Sequence, residues 1–357
     1  MQLISNGFAP SAALLAMMVV GPSAQAQPTV HGMLRLASVD VELSAGCDET
    51  DLARMATQGR YLVVSQPPSQ GVLLFDIEGS APRLLAILEG QGRNAAQFDR
   101  PGGVAIDSKR GLLYVSDTYN HRLQIFRVAE QAPAGSLLRF AKAIGRKGTG
   151  PAEFDRPGAL ALDAQGNLFA IDGGNARVQV FDANLRFVRA FGEAGDGDGQ
   201  LLTPLDIAVA PAGDVVYVVD GEQRRIQAFD RDGRFLFAAG RGREVTVPPQ
   251  SPGYFLFPFG VAIASDGQLY VTDCGDHAVQ RFDARGRSIG AWGTFGGVDG
   301  QLNQPRQIAI DARGRVIVLD FVDRRGQLFS AGGGFLGSFR LSRSALGMPR
   351  VPSPPPR

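Results

Sequence analysis

The side chains best suited to chemistry in this 357-residue chain fall into three groups. Asp206, Arg306 and Gln307 stand where the matching positions elsewhere in the chain hold Gly, Ala or an apolar residue, so they are candidates for binding a ligand. Tyr119, Asn120, His121, Glu222, Asp276, His277 and Asp323 sit in short polar turns that differ from one to the next, as recognition residues on loops do. The stretch PPQSPGYFLFPF brings Tyr254, Phe255, Phe257 and Phe259 together, either as a patch for a partner or as the cap of a core. Metal chemistry finds little to work with. A zinc site needs three or four His, Cys or carboxylate ligands, and of the three histidines His31 lies far in sequence from His121 and His277. AGDGDGQL, with Asp196 and Asp198, lacks the spaced ligands and closing glutamate of a calcium loop. These residues predict binding of a ligand or partner, with no catalytic residue, no metal and no cofactor.

The elements that must hold them come from a repeat. Five prolines (Pro101, Pro157, Pro204, Pro258 and Pro305) each open a segment in which an aspartate follows 15 or 16 residues later, at Asp117, Asp172, Asp220, Asp273 and Asp320. A phenylalanine follows nine residues after that, at Phe126, Phe181, Phe229, Phe282 and Phe329. Length varies only between each phenylalanine and the next proline, at 31, 23, 29 and 23 residues. Fixed internals with elastic joints mark a structural repeat. Inside each segment, short apolar bursts such as GVAID, GLLYVSD and HRLQIF are separated by Gly, Asp and Asn, the pattern of strands joined by tight turns. A fourth burst, as in RFVRAFG, follows the phenylalanine. Four antiparallel strands in about fifty residues make one propeller blade. The same ruler laid upstream puts Phe75, Gln66 and Asp51 in the three slots, giving a degenerate first unit. The expectation is an all-β, six-bladed β-propeller of four-stranded antiparallel blades over residues 50–340.

Two recurring details add to this. Arginine follows four of the aspartates at the fifth position, predicting charge-assisted pairs Asp117–Arg122, Asp172–Arg177, Asp220–Arg225 and Asp320–Arg325 across the bend between second and third strands. The degenerate unit replaces both partners together, with Gln66 and Gly71, and Ala278 leaves Asp273 without an arginine. Alanine four residues after each proline (Ala105, Ala161, Ala208, Ala262 and Ala309) predicts crowding of the first strands toward the axis.

The stretch QFDRPGGVAID…LLYVSDTYNHRLQIF resembles the NHL repeat in its proline, aspartate, asparagine, His-Arg pair and final apolar strand. The full triplet is Asn120, His121 and Arg122; the second unit keeps Asn175 and Arg177 around Ala176. The resemblance covers roughly residues 50 to 340 and implies a six-bladed propeller. Its implication for function is broader, since such propellers bind proteins, RNA or small ligands and a few are enzymes. Amidating lyases of this type hold zinc with several histidines, and lactonase-type propellers ring a calcium with carboxylates and asparagines near the axis, where only Asp206 stands here. A metal-dependent lyase or hydrolase at the axial opening is therefore the alternative reading.

SAALLAMMVV followed by PSAQAQ reads as an export signal cleaved after Ala26, although no Lys or Arg precedes the apolar run. The run is too short to span a membrane. The layout is then signal 1–26, arm 27–49, propeller 50–340 and a disordered Pro-rich tail 341–357. Export permits a Cys47–Cys274 disulfide pinning the arm across the loop face; two unrelated thiols are the other reading, because disulfide geometry is demanding. With 36 Lys and Arg against 35 Asp and Glu, and no clustered basic run, a nucleic-acid surface is disfavoured. The expected protein is periplasmic or secreted, monomeric, and a rigid binding platform for a protein, peptide or glycan.

Overall fold

The computed structural model describes residues 53–340, apart from 68, 79–82, 130–136, 211, 243 and 245. The export signal, the arm with His31 and Cys47, and the Pro-rich tail lie outside the described residues.

Six antiparallel sheets, each of four strands consecutive in sequence, form six blades. The first is Met55–Gln58, Tyr61–Gln66, Gly71–Asp76 and Arg83–Glu89. The innermost strands of the other five are Pro101–Asp107, Pro157–Leu162, Pro204–Val209, Pro258–Ile263 and Pro305–Ile310. Each begins on a repeat proline, where a residue without an N–H fits the start of a strand. The innermost strands neighbour one another in chain order, and the last meets the first, so the ring closes. Beyond the strands the described residues hold two single turns of 3-10 helix, Thr118–Asn120 and Gly173–Asn175.

Among the described residues no strand is exchanged to close the ring. The joint between the last and first blades is held by a shared core in which Met55, Leu62, Val64, Leu73 and Phe75 pack against Ile317, Leu319, Phe321, Leu328 and Phe339. Across the same joint Thr57 Oγ1 donates to the Ile310 carbonyl at 2.8 Å and Arg313 Nη2 to the Glu78 carbonyl at 2.8 Å.

The repeat phenylalanines, Phe75 included, are buried in the layers between blades. The alanines four residues after each proline face a neighbouring blade rather than the axis: Ala105 packs with Leu160 and Phe181, and Ala262 with Ile308 and Val318. Closeness at the axis rests on glycine instead. A Cβ on Gly103 would stand 2.2 Å from the Gly158 carbonyl oxygen, and one on Gly260 would stand 2.4 Å from that of Arg306.

Candidate functional site

Where the innermost strands enter regular pairing, the six blades present Arg54, Gly103, Ala159, Asp206, Gly260 and Gln307 in turn. Blades one and four stand opposite each other in a ring of six. Arg54 and Asp206 therefore meet across the axis, with Arg54 Nη1 3.4 Å from Asp206 Oδ1. The other carboxylate oxygen, Oδ2, accepts the Val261 amide at 3.0 Å. Both side chains are about nine-tenths buried. Burial pushes the Asp206 carboxyl above its ordinary range, while Arg54 and the Val261 and Ile207 amides pull it back. The axis is thus bridged by an ion pair at this level.

Arg306 precedes Gln307 in its strand and lies one residue nearer the loop face. Its guanidinium carbon stands 3.4 Å from the ring centre of Phe321 and 5.6 Å from that of Phe259, a cation between two aromatic rings. Phe259 clusters with Leu205 and Cys274, and its ring lies 6.4 Å from that of Phe257. Phe257 is 40% exposed, so an apolar path runs from solvent to the guanidinium. Arg306 is itself only 4% exposed, yet its Nε and Nη1 find no acceptor, and neither does Nε2 of the adjacent Gln307. Gly102, Gly158 and Gly173 occupy the corresponding places on blades two and three, where the one side chain is that of Thr118, whose hydroxyl donates to the Pro157 carbonyl at 2.9 Å. The axial mouth on the loop face is thus lined by Phe and Leu on one side, with donors buried at its base.

The polar turn residues share that face but serve their own loops. Asn120 Nδ2 donates to both Asp117 oxygens, at 2.9 and 3.0 Å, and to the Gly92 carbonyl at 2.8 Å. Glu222 accepts from the Thr203 hydroxyl at 3.1 Å, and Asp276 from the Gln250 amide at 3.2 Å. Asp323 lies 3.4 Å from Arg325, and Tyr119 stacks under Arg100 at 5.4 Å. His121 Nδ1 accepts the Arg156 amide at 3.2 Å and His277 Nδ1 the Gln304 amide at 3.0 Å, each joining one blade to the next. Burial holds His277 below the usual histidine range, in keeping with a neutral ring that accepts. A metal does not fit these residues: the two histidines each spend a nitrogen on an amide, and among the described residues no three His, Cys, Asp or Glu side chains converge to hold an ion.

The repeat aspartates show a different constant partner from the one their spacing suggests. Each gives Oδ1 to an amide of the segment leading into its blade: Asp99, Asp155, Thr203, Phe257 and Asn303, at 2.7 to 3.1 Å. Arginine is an addition. Arg122 Nε donates to Asp117 at 2.7 Å and Arg177 Nε to Asp172 at 2.8 Å. Arg325 lies 3.6 Å from Asp320 and closer to Asp299 and Asp323. The Asp220–Arg225 pair does not form. Asp220 is occupied by the Leu202 and Thr203 amides, and Arg225 reaches the Gly197 carbonyl at 2.6 Å and Asp198 at 3.5 Å.

Three features escaped the sequence reading. A glutamine stands seven residues after every repeat aspartate (Gln124, Gln179, Gln227, Gln280 and Gln327), and each is fully buried. Gln179 shows the role: its amide donates to the Glu153 carbonyl at 2.6 Å and to Asp172 at 3.1 Å, and accepts from the Ala152 amide at 2.9 Å. Second, Phe255 occupies the slot three residues before the proline that Phe98, Phe154, Leu201 and Leu302 fill elsewhere, all of them fully buried. The expected partner patch is corrected accordingly. Phe255 and Phe259 are core, Tyr254 is half-buried beside Arg241, and Phe257 alone of the four is exposed. Third, Gly286–Gly290 spells Gly-x-Ser-x-Gly, but Ser288 opens the outermost strand Ser288–Trp292 after a tight turn, with no helix following, so it is not a nucleophile elbow. Cys274 is buried at the axial mouth. Its suggested bond to Cys47 lies outside the described residues.

The NHL repeat model matches residues 98–126 and 255–282, within two of the six equivalent blades. The chain carries NHL repeats on a six-bladed β-propeller. This NHL propeller is 35% identical over 97 residues to NHL repeat-containing protein 3 of Mus musculus, covering 26% of this chain and 25% of that protein. It is 28% identical over 261 residues to the chloroplastic Protein SUPPRESSOR OF QUENCHING 1 of Arabidopsis thaliana, covering 63% of this chain and 24% of that one. Peptidyl-glycine alpha-amidating monooxygenase of Mus musculus matches at 29% over 136 residues, 36% of this chain and 13% of the relative. The chain thus spans a quarter or less of the length of these relatives. Among solved structures, a streptogramin B lyase superposes with TM-score 0.55 at 9% identity, covering 84% of this chain and 86% of that one. A chain of the nidogen–laminin complex superposes with TM-score 0.53 at 15% identity, covering 81% and 93%. These two likenesses concern the fold.

Proposed function

We propose that this NHL propeller is an exported, rigid binding platform that takes a protein, peptide or glycan partner at the axial mouth on its loop face. The observation that carries this is the base of the mouth. A buried guanidinium between two phenylalanine rings, with two of its donors unanswered, is a costly arrangement for a free protein and a useful one for recognition. The ion pair bridging the axis beneath it keeps the base rigid, and backbone hydrogen bonds tie each turn to the loop beside it. Rigidity of this kind lowers the ordering cost of binding. A propeller of similar fold in the nidogen–laminin complex is a precedent for the use, not for the partner. For the alternative, a metal-dependent reaction, no three His, Cys, Asp or Glu side chains converge among the described residues.

The test is affinity capture from a periplasmic extract on immobilised full-length chain, run beside Phe257→Ser and a change at the exposed residue that follows Phe321, Val322→Ser. A partner retained by the wild type and lost on both variants supports the platform. A partner retained equally by all three places recognition away from the mouth and overturns it.

A further inference from the structure

We infer that the axial mouth is a monocarboxylate site: Arg306 receives a carboxylate borne on an apolar group, as at the free C-terminus of a peptide ending in an apolar residue. This rests on the mouth being the binding site proposed above and names the chemistry it takes.

The charge inventory of the axis points to a single negative charge. Arg54 and Asp206 neutralise each other at 3.4 Å, and Arg306 adds one positive charge that no protein carboxylate answers: among the described residues none lies within ion-pair distance of it. A guanidinium stays ionised at any physiological pH, and a buried charge without a counterion is strongly disfavoured. One anionic charge would balance it, where a phosphate dianion would leave an excess.

The hydrogen-bonding inventory agrees. The unanswered groups of Arg306, Nε and Nη1, are donors, so the matching ligand group is an acceptor only. A carboxylate is such a group, and its two oxygens fit the fork of a guanidinium. Phe321 and Phe259 hold the guanidinium plane, so little rotamer freedom remains to be lost on binding. The walls then decide what carries the carboxylate. Leu205, Phe259 and the exposed Phe257 lead from solvent to the base, and these surfaces favour an apolar group over a sugar acid.

The test is calorimetric titration of the full-length chain with four probes: an N-acetylated tetrapeptide ending in phenylalanine as the free acid, the same peptide as its C-terminal amide, 3-phenylpropanoate, and inorganic phosphate. The expected result is saturable binding of the free-acid peptide with at least about a tenfold loss for the amide, the weight of a charge-assisted pair. Arg306→Gln should weaken the acid by a similar factor and leave the amide's affinity unchanged, while Arg306→Lys keeps the charge, loses the fork and falls between. The acid-to-amide ratio is read on the wild type alone, so a variant that fails to fold does not decide the matter. If 3-phenylpropanoate binds as tightly as the peptide acid, the natural source is a small free acid and the site stands. Equal binding of acid and amide, phosphate binding in preference to both carboxylates, or no binding of any carboxylate overturns the inference. Those outcomes leave the platform intact if the captured partner still depends on Phe257 and Val322.

Discussion

Removing Asp206 should cost this NHL propeller a large share of its stability, and the cost should largely vanish when Arg54 is removed as well. The carboxylate meets Arg54 Nη1 at 3.4 Å and the Val261 amide at 3.0 Å, with the Ile207 amide also favouring its charge. Asp206→Leu takes the carboxylate away from a buried guanidinium, and breaking a buried pair costs about 3–5 kcal/mol. It also orphans one amide, at about 1–3 kcal/mol. Arg54→Met strands only the carboxylate. In the double variant both charges are gone and the orphaned amide remains, so the loss should shrink to about 1–3 kcal/mol. Urea unfolding followed by Trp292, the chain's single tryptophan, measures the four corners of this cycle. A second readout comes from pH. Burial raises the Asp206 carboxyl and Arg54 opposes it, so Arg54→Met leaves the raised value unopposed. A carboxyl raised in the folded state contributes stability below about pH 4 that is lost as pH rises through the folded value. The deficit of Arg54→Met should therefore grow from pH 4 to 7 and disappear in the double variant. Additive single effects, or singles below about 1 kcal/mol, would show that no buried pair bridges the axis.

Gln179→Leu leaves the Ala152 amide of the approaching loop unpaired inside the blade, while the Glu153 carbonyl keeps Arg177 Nη2 at 3.0 Å, and should cost about 1–3 kcal/mol in the same assay; a loss under about 0.5 kcal/mol would make the buried glutamines incidental. Phe255→Ala should cost about 3–5 kcal/mol, while Phe257→Ala, at an exposed ring, should stay within about 1 kcal/mol; similar losses at both would restore a shared aromatic patch. Burial pushes the Asp320 carboxyl up to about 7, with Asp323 adding and the Asn303 amide and Arg325 opposing. Its stability contribution is full below about pH 4 and lost as pH rises through about 7, so Asp320→Asn should flatten the fall of Tm across that window, and an unchanged slope refutes the assignment.

The blade count and strand order were open to reading from sequence because each blade is made locally. Proline, aspartate and phenylalanine at near-constant spacing each answer a need inside one sheet: a strand start, a buried acceptor for a loop amide, and a filler between blades. Phe255 and the five glutamines were equally periodic, and counting back from each proline and on from each aspartate exposes both. The Asp220–Arg225 spacing misled because Arg225 turns to the Gly197 carbonyl and Asp198 while the Leu202 and Thr203 amides take the carboxylate, a choice held in the geometry of the approaching loop. The axis was beyond reach for another reason. Arg54 and Asp206 are 152 residues apart and belong to no shared motif. They meet only because a ring of six places its first and fourth members face to face, and the same closure buries Arg306 between aromatic rings from two blades. Local spacing specifies a wedge, while the sum of six wedges decides which charges share the hub.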